Sequence, residues 1–408
     1  LNKKNNSSAI ANKKISIVAP DLAAGGMTRA YALAQALAHA GYAVEVLGLM
    51  LTKGSLYPVP PENIQVTQVT GRSSLYGLTR LVARLDGDVI YAVKPRPSSY
   101  GVALLKRLIN GRPVMLDIDD WELAELNAAR EYRKSQSTTP AHKPRAIVAQ
   151  LKRTGRDLLR ARRLLNVADQ RYIKWLDRAI GKADAITVNT RFVQNLYGGI
   201  YVPQCKDTVK YDPDRYDPDD SRRRYGLTDY IVLMFPGTPR PHKGLEDMLA
   251  AMEILQNPSI RLVLVGGRSS GASYTDELMK RWRHWIVRLP AFPAEEMPRV
   301  VAAAHAVVVA QRDTAIARAQ FPMKLTDAMA MGKPVITTTV GDIPEIIGNT
   351  GYLVQPSSPE QLAAAVSSIV KDPQAALKRG KKARERFVRD YSLGAVGSVL
   401  ADIIERLS

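Results

Sequence analysis

The sequence predicts an α/β protein built from two doubly wound domains, and three observations carry that expectation. The chain has 408 residues, room for two domains of ordinary size. Short apolar runs alternate with helix-like stretches in two successive series, the pattern of parallel sheets covered on both faces. An Asp/Pro-rich connector, Asp212 to Asp220, separates the two series. Sheets of this kind take ligands at the carboxyl ends of their strands, so a cleft between two facing domains is the expected site.

In the first series, Ile15 to Ala19 reads as a strand and Pro20–Gly26 as the loop that follows it. A helix runs from Met27 to Ala40, with Leu33 and Leu37 spaced i, i+4, and stops at Gly41. Val44 to Leu49, Val89 to Val93, Val114 to Ile118 and Ala185 to Val188 are further strands. In the second, Ile231 to Phe235 is a strand closed by Pro236–Gly237, and Leu245 to Leu255 a helix. Arg261 to Val265, Ala306 to Ala310 and Pro334 to Thr338 are strands. Helices at Glu360 to Val370, Pro373 to Asp390 and Ala395 to Leu407 complete the chain. The expected division is a flexible start over 1–13, domains over 14–205 and 206–390, and a last helix over 391–408 packing back toward the first domain.

Composition removes several classes. Hydrophobic residues at 46% and charged residues at 24% allow each half its own core, which excludes disordered and collagen-like chains. One cysteine, Cys205, permits neither an intrachain disulfide nor a thiolate zinc site, and fits a reducing, cytoplasmic compartment. No run approaches the ~20 apolar residues of a membrane span. The polar, Lys/Asn-rich start Leu1 to Lys14 has no signal-peptide core and reads as truncated. Lysine and arginine total 58 against 39 acids, a formal +19. Such a field attracts nucleic acid, anionic lipid or phosphorylated small molecules.

Three loops carry candidate chemistry. After the first strand, Gly25 and Gly26 let backbone approach a ligand, and the next helix offers amides to an anion or sugar hydroxyl. The spacing is not that of a dinucleotide fingerprint, and a plain strand-to-helix turn explains it equally well. Gly237-Thr238-Pro239-Arg240-Pro241-His242-Lys243-Gly244 joins a strand to a helix. Lys243 can reach phosphates there, Arg240 is a second cation, and His242 can touch the ligand; the spacing is not a P-loop. A solvated basic turn is the bland alternative. In the third, Pro322 opens a helix of about ten residues that ends at Gly332 and Pro334. The amides of Met323, Lys324 and Leu325 are expected to be free for a diphosphate. Asp327, one turn inward, can accept from vicinal ribose hydroxyls. Gly341-Asp342-Ile343-Pro344-Glu345 reads as a structural helix cap.

Together these stretches resemble the retaining glycosyltransferases of family 4, which have the two-Rossmann GT-B fold. The resemblance runs from about Lys14 to the C-terminus. Its most specific element is Lys324-Leu325-x-Asp327-Ala328-Met329-Ala330-x-Gly332-Lys333-Pro334-Val335, followed by Gly341-x-Ile343-Pro344-Glu345. Gly237 to Gly244 resembles the family's phosphate loop, and Val202-Pro203 to Asp207-Thr208 its interdomain segment. Ile90 to Pro95 and Leu116-Asp117-Ile118-Asp119-Asp120-Trp121 resemble a bacterial subgroup with an aspartate-rich loop. Two departures stand out. The family's E-x7-E pair falls on Ala319 and Asp327, and its glycine-arginine falls on Gly237-Thr238, leaving Arg240 as the substitute. The resemblance implies transfer with retention from a nucleotide-diphosphate sugar, with no protein nucleophile. Lys243, Arg240 and the Met323–Leu325 amides would stabilise the leaving diphosphate, and Asp119 or Asp120 would position the acceptor. An aspartate cluster after a strand is as often a helix cap. Neither a cofactor nor a metal is implied, although Asp117-x-Asp119-Asp120 has the composition of a Mg²⁺ ligand set.

Between Lys143 and Lys182 stand twelve basic residues against three aspartates. Leu151, Leu158, Leu165 and Tyr172 recur every seven residues, with Arg153, Arg156, Arg160 and Arg163 opposite. Such a helix either packs its leucines on the core or lies on anionic lipid, and the arginines favour a membrane surface as partner. Nucleic acid is disfavoured, because no stacking aromatics accompany the charge. The resulting expectation is a cytoplasmic, peripherally membrane-associated glycosyltransferase acting on a lipid-linked or glycan acceptor. A sugar-nucleotide epimerase of the same fold and a non-catalytic nucleotide-sugar-binding scaffold are the rivals.

Overall fold

The computed structural model describes residues 13–24, 26–51, 54–70, 75–122, 170–266 and 272–407. Of these, the residues up to Val188, with Val193–Tyr201 and those from Leu400 onward, form one compact unit. Asn189–Phe192 and Val202–Val399 form the other. The expected boundary after Cys205 thus falls four residues earlier, after Tyr201, and a short stretch around Thr190 belongs with the second unit.

Among the described residues the first unit holds seven strands: β1 Lys14–Val18, β2 Ala43–Leu49, β3 Gln65–Val69, β4 Val89–Val93, β5 Val114–Ile118, β6 Ala185–Val188 and β7 Ile200–Tyr201. They pair in parallel in the order β3-β2-β1-β4-β5-β6-β7. The second unit holds β8 Ile231–Pro236, β9 Ile260–Val265, β10 Ile286–Leu289, β11 Ala306–Val309, β12 Val335–Thr338 and β13 Tyr352–Val354. These are also parallel, in the order β10-β9-β8-β11-β12-β13.

Burial explains why the central strands read as unbroken apolar runs. Every residue of β4, β5 and β11 is buried, as both faces of a helix-covered parallel strand must be. Alternation remains visible in β8. Val232 and Met234 join the core that holds Leu325, Met329 and Phe387. Leu233 and Phe235 join the opposite core, with Leu245, Leu249 and Val366. The strands absent from the sequence reading, β3, β7, β10 and β13, are short and partly exposed, and each lies at or toward a sheet edge.

Candidate functional site

In each sheet the strand order reverses beside its first strand: β1 lies between β2 and β4, and β8 between β9 and β11. Loops leaving the carboxyl ends diverge at such a point and leave a crevice. Of the residues singled out in the sequence, Gly26 follows β1 and Gly237 to Lys243 follow β8, whereas Asp119 and Asp120 follow β5 and Met323 to Asp327 lie in a helix after β11.

In the second unit, Gly237 to Gly244 leaves β8 through a single helical turn, Pro241–Lys243, and enters the helix Leu245–Leu255. Gly244 has φ +66°, and a Cβ there would stand 1.8 Å from the Ala310 carbonyl oxygen, so only glycine fits. From behind, the Arg312 amide donates to the His242 carbonyl at 3.0 Å. The Arg312 guanidinium grips Asp247 through bonds of 2.9 and 2.7 Å. The loop is therefore fixed before any ligand arrives.

Its cations are placed unequally. Lys243 Nζ donates to Gln320 Oε1 at 2.9 Å. Arg240 is exposed, and among the described residues no side chain pairs with its guanidinium. Lys324, at the start of the helix Met323–Ala330, holds Nζ 4.9 Å from the Phe235 ring centroid. No carboxylate pairs with it among the described residues. Burial lowers its pKa, Asp327 opposes that, and Arg240 adds to it. A Cβ on Gly237 would lie 2.4 Å from Lys324 Cε, so glycine makes room for this lysine. Burial, then Lys243, Arg240 and Lys324, bring His242 down to about 4, so it is neutral at pH 7.

Two expectations are corrected here. The amides of Met323 and Leu325 are not free: they donate to the carbonyls of Phe321 (3.0 Å) and Pro322 (2.8 Å). The chain enters the helix through a tight turn with Pro322 as cap, outside the helix, and the first donors are used in that turn. Of the three amides, only that of Lys324 makes no such bond among the described residues. Asp327, expected to face a ribose, is buried against Lys206, whose Nζ lies 2.5 Å from Oδ1. Lys206 also lies 4.9 Å over the Tyr211 ring, with Nζ 3.4 Å from its hydroxyl. Burial alone would lower this lysine, but Asp327 and Tyr211 hold it above the ordinary range. A carboxylate withdrawn from water needs such a partner. Ala319, at the first position of the family's acidic pair, is buried and presents only a methyl group. Asp342 does not cap the next helix through its side chain; it accepts from the Arg191 amide at 2.6 Å.

In the first unit, Gly25 lies outside the described residues. Gly26 has an ordinary helical φ of −60°, and a Cβ on it would meet Lys94 Cε and Pro20 Cγ at 3.5 Å. Lys94 follows β4 at φ +67°. Its Nζ lies 3.2 Å from Asp119 Oδ1, 2.7 Å from Asp120 Oδ2 and 3.0 Å from Glu122 Oε1. Arg96 adds a 2.7 Å contact to Glu122. Behind them Asp117 is fully buried and takes two bonds from Arg29, of 2.9 and 2.7 Å. Thr187 donates to it at 2.8 Å. The aspartates are thus shared between two cations: Asp117 faces Arg29, and Asp119 with Asp120 faces Lys94. Burial raises the Asp119 carboxyl despite Lys94. Burial also acts upward on Glu122, but Lys94 and Arg96 outweigh it and hold that carboxyl low.

The structure therefore brings Gly237, Thr238, Arg240, His242 and Lys243 on one loop, and Lys324 and Asp327 on a helix, into the same unit. Gly26, Asp119 and Asp120 lie on loops of the other. Sequence reasoning missed Lys94, Glu122, Arg29, Lys206 and Gln320. Lys94 and Lys206 lie in stretches quoted for the resemblance but were given no role there; the others are partners outside those stretches, and Arg29 meets Asp117 across 88 positions.

Comparison with known proteins finds a family match within the second unit. Residues 230–372 match the family model described as glycosyl transferases group 1. This segment is a glycosyl transferases group 1 domain. The chain is 25% identical over 247 residues to the GDP-mannose-dependent alpha-(1-6)-phosphatidylinositol monomannoside mannosyltransferase of Mycolicibacterium smegmatis, covering 56% of this chain and 64% of that one. It is 27% identical over 179 residues to the glycogen synthase of Mycobacterium tuberculosis, covering 42% and 41%. The chain thus spans less than two thirds of these relatives' length. Among solved structures, the sucrose-phosphate synthase of Thermosynechococcus elongatus superposes with a TM-score of 0.69 at 19% identity, over 97% of this chain and 99% of that one. Anabaena HepE, solved in complex with UDP-glucose, gives 0.68 at 17% over 97% and 100%. At such identities the likeness establishes the fold, which is that of the GT-B glycosyltransferases. The group 1 domain comprises β8 to β13 and both loops that carry Arg240, Lys243 and Lys324.

Proposed function

We propose that this chain is a retaining glycosyltransferase that moves a sugar from a nucleotide-diphosphate sugar to a hydroxyl of a glycan or lipid-linked acceptor, in cell-surface polysaccharide or glycolipid synthesis. The observation that carries the reading is that Arg240 and Lys324 make no ion pair among the described residues, near Lys243 after β8. Cations that no protein carboxylate grips suit a diphosphate. Charge grows on that diphosphate as the glycosidic bond breaks, and preorganised cations stabilise it most at that moment. Lys243, anchored by Gln320, and the Lys324 amide act on the same group. Front-face substitution needs no protein nucleophile, and the reading calls for no resident cofactor or metal. Asp119 and Asp120, held by Lys94, offer acceptors for a hydroxyl of the incoming sugar. Asp327 meets the ribose only through whatever capacity the Lys206 contact leaves it.

The work site in this reading is the inner face of a membrane. Arg153, Arg156, Arg160 and Arg163, with most of the leucine stripe, lie outside the described residues. Among the described residues no helix is long and apolar enough to cross a bilayer. One observation favours a second reading: Ala319 leaves its position without a carboxylate, which suits a binding scaffold. Incubating the protein with a panel of nucleotide sugars, with and without lipid extract, separates these. Acceptor-dependent release of nucleoside diphosphate supports transfer, and acceptor-free isomerisation supports an epimerase. Binding without turnover supports the scaffold.

A further inference from the structure

The first unit carries a cavity of about 690 Å³ whose walls are largely leucine and aromatic. Around it, three neighbouring elements expose large apolar side chains. On the helix Val102–Asn110, Leu105, Leu108 and Ile109 sit at i, i+3 and i+4 and are 47%, 83% and 71% exposed, while Val102 and Ala103 are buried. The helix is thus apolar on its outward face as well. Leu75 and Tyr76 open the helix Leu75–Arg84, and Trp175 stands out from the helix Gln170–Arg178. A single exposed leucine is ordinary, but six such residues around one cavity form a patch that marks an interaction site.

The charges at this patch are predominantly positive. Lys106, Lys174, Arg178 and Lys182 have no carboxylate partner among the described residues, whereas Asp184 is neutralised by Arg107 at 3.0 Å. Asp177 accepts from Tyr197. Tyr172, the last residue of the seven-residue apolar repeat in the sequence, lines the same cavity together with Leu176. Apolar side chains with Trp and Tyr among them, ringed by lysines on long stems, match the layered chemistry of an anionic bilayer surface. A second copy of the chain fits poorly, because a two-fold contact would set these lysines against themselves in a protein of net charge +19.

We propose that this face docks on anionic phospholipid bilayers, with Leu105, Leu108, Ile109 and Trp175 entering the headgroup–acyl boundary and Lys106, Lys174, Arg178 and Lys182 meeting the headgroups. The proposal deepens the membrane-side reading above and rests on it. The full chain is tested by cosedimentation with phosphatidylglycerol–phosphatidylcholine vesicles, and with phosphatidylcholine vesicles alone, together with tryptophan emission. Wild type should bind the anionic vesicles, more weakly as salt rises, with a blue shift that Trp175→Phe removes. Leu105→Gln/Leu108→Gln should weaken binding by more than about tenfold. Each of Lys106→Gln and Lys182→Gln should weaken it by about fivefold. Because these side chains are exposed, melting temperature and nucleotide binding should stay at wild-type values, and the Trp175→Phe readout needs no folding control. Vesicle binding by the leucine variant equal to wild type overturns this face while leaving membrane association to the 153–163 segment. Failure of wild type to bind overturns both. A wild-type dimer that the leucine pair dissociates would make the patch an interface between copies. Transfer to a water-soluble acceptor, unchanged in the leucine variant, keeps the transferase reading separate from all three.

Discussion

Replacing Lys324 with methionine removes a charge and keeps a flexible side chain of nearly the same length. In the unliganded protein this lysine sits half-buried over the Phe235 ring, without a carboxylate partner among the described residues. Its loss forfeits a cation–π contact of about 0.5–1 kcal/mol but relieves the desolvation of an ammonium group. Methionine can still cover Phe235, so stability should change by less than about 1 kcal/mol, in either direction. The bound diphosphate loses a charge-assisted hydrogen bond worth about 1.5–3 kcal/mol, so its dissociation constant should rise about ten- to hundredfold. Calorimetry with UDP and with GDP, at low and at moderate salt, measures this directly, and thermal melting of the free protein measures the other half. Gly237→Ala supplies an independent approach to the same atom. Its Cβ, 2.4 Å from Lys324 Cε, must push the lysine aside by about 1 Å to reach ordinary contact, which should weaken nucleotide binding in the same direction. Wild-type affinity in a folded Lys324→Met protein would refute the assignment of this cation to the diphosphate.

The remaining predictions concern its neighbours. Lys243→Ala should cut turnover about a hundredfold, the effect of losing one ~3 kcal/mol preorganised contact, with melting unchanged; wild-type turnover would remove Lys243 from the mechanism. Asp327→Asn strands Lys206 as a buried charge and should destabilise the fold by about 3–5 kcal/mol. Adding Lys206→Met should restore most of that loss in a thermal melt, and a stable single variant would mean the ion pair contributes little. His242 is depressed to about 4, below its unfolded value of about 6.5. Between those values the unfolded chain binds more protons, so this residue's effect on stability worsens as pH falls through that window. A bound diphosphate offsets the cations that depress it, so nucleotide binding near pH 5 should take up protons and tighten relative to pH 7. Calorimetry in buffers of different ionisation enthalpy reads that uptake, and its absence in His242→Gln identifies the group.

Much of this architecture was legible before any coordinates, and what was not follows a physical rule. The central strands announce themselves because both faces are covered and their residues are mostly apolar. β3, Gln65–Val69, lies at the sheet edge, is polar at three of its five positions and is mostly not buried, and that erases the signal. The phosphate-side motif was legible because glycine spacing is local: Gly244 must be glycine to clear Ala310, and Gly237 to clear Lys324. What a motif cannot reveal is which of its charges the rest of the chain has already neutralised. Lys243, Lys324 and Arg240 look equivalent in sequence. The fold ties the first to Gln320, buries the second and leaves the third in solvent.

The same rule governs the carboxylates and explains the asymmetry between the two units. Asp117, Asp119 and Asp120 were candidates for a metal, a cap or an acceptor site, and each of them, like Glu122 beside them, meets a protein cation: Arg29 for the first, Lys94 for the others. Asp327 likewise meets Lys206. An acid buried at the carboxyl end of a parallel sheet must be compensated on folding, before any ligand arrives. Two cations near the Gly237 loop meet that requirement differently: Arg240, on the loop, stays in water, and Lys324, on the helix Met323–Ala330, is half-buried over an aromatic face with a lowered pKa. The second unit thus carries its unmatched charge as cations poised for an anion, whereas the cluster around Lys94 holds balanced charge with spare acceptor capacity. Balanced carboxylates suit neutral hydroxyls, and unmatched cations suit phosphates. On the proposed function, that division would place the diphosphate at the group 1 domain and the sugar acceptor at the other unit.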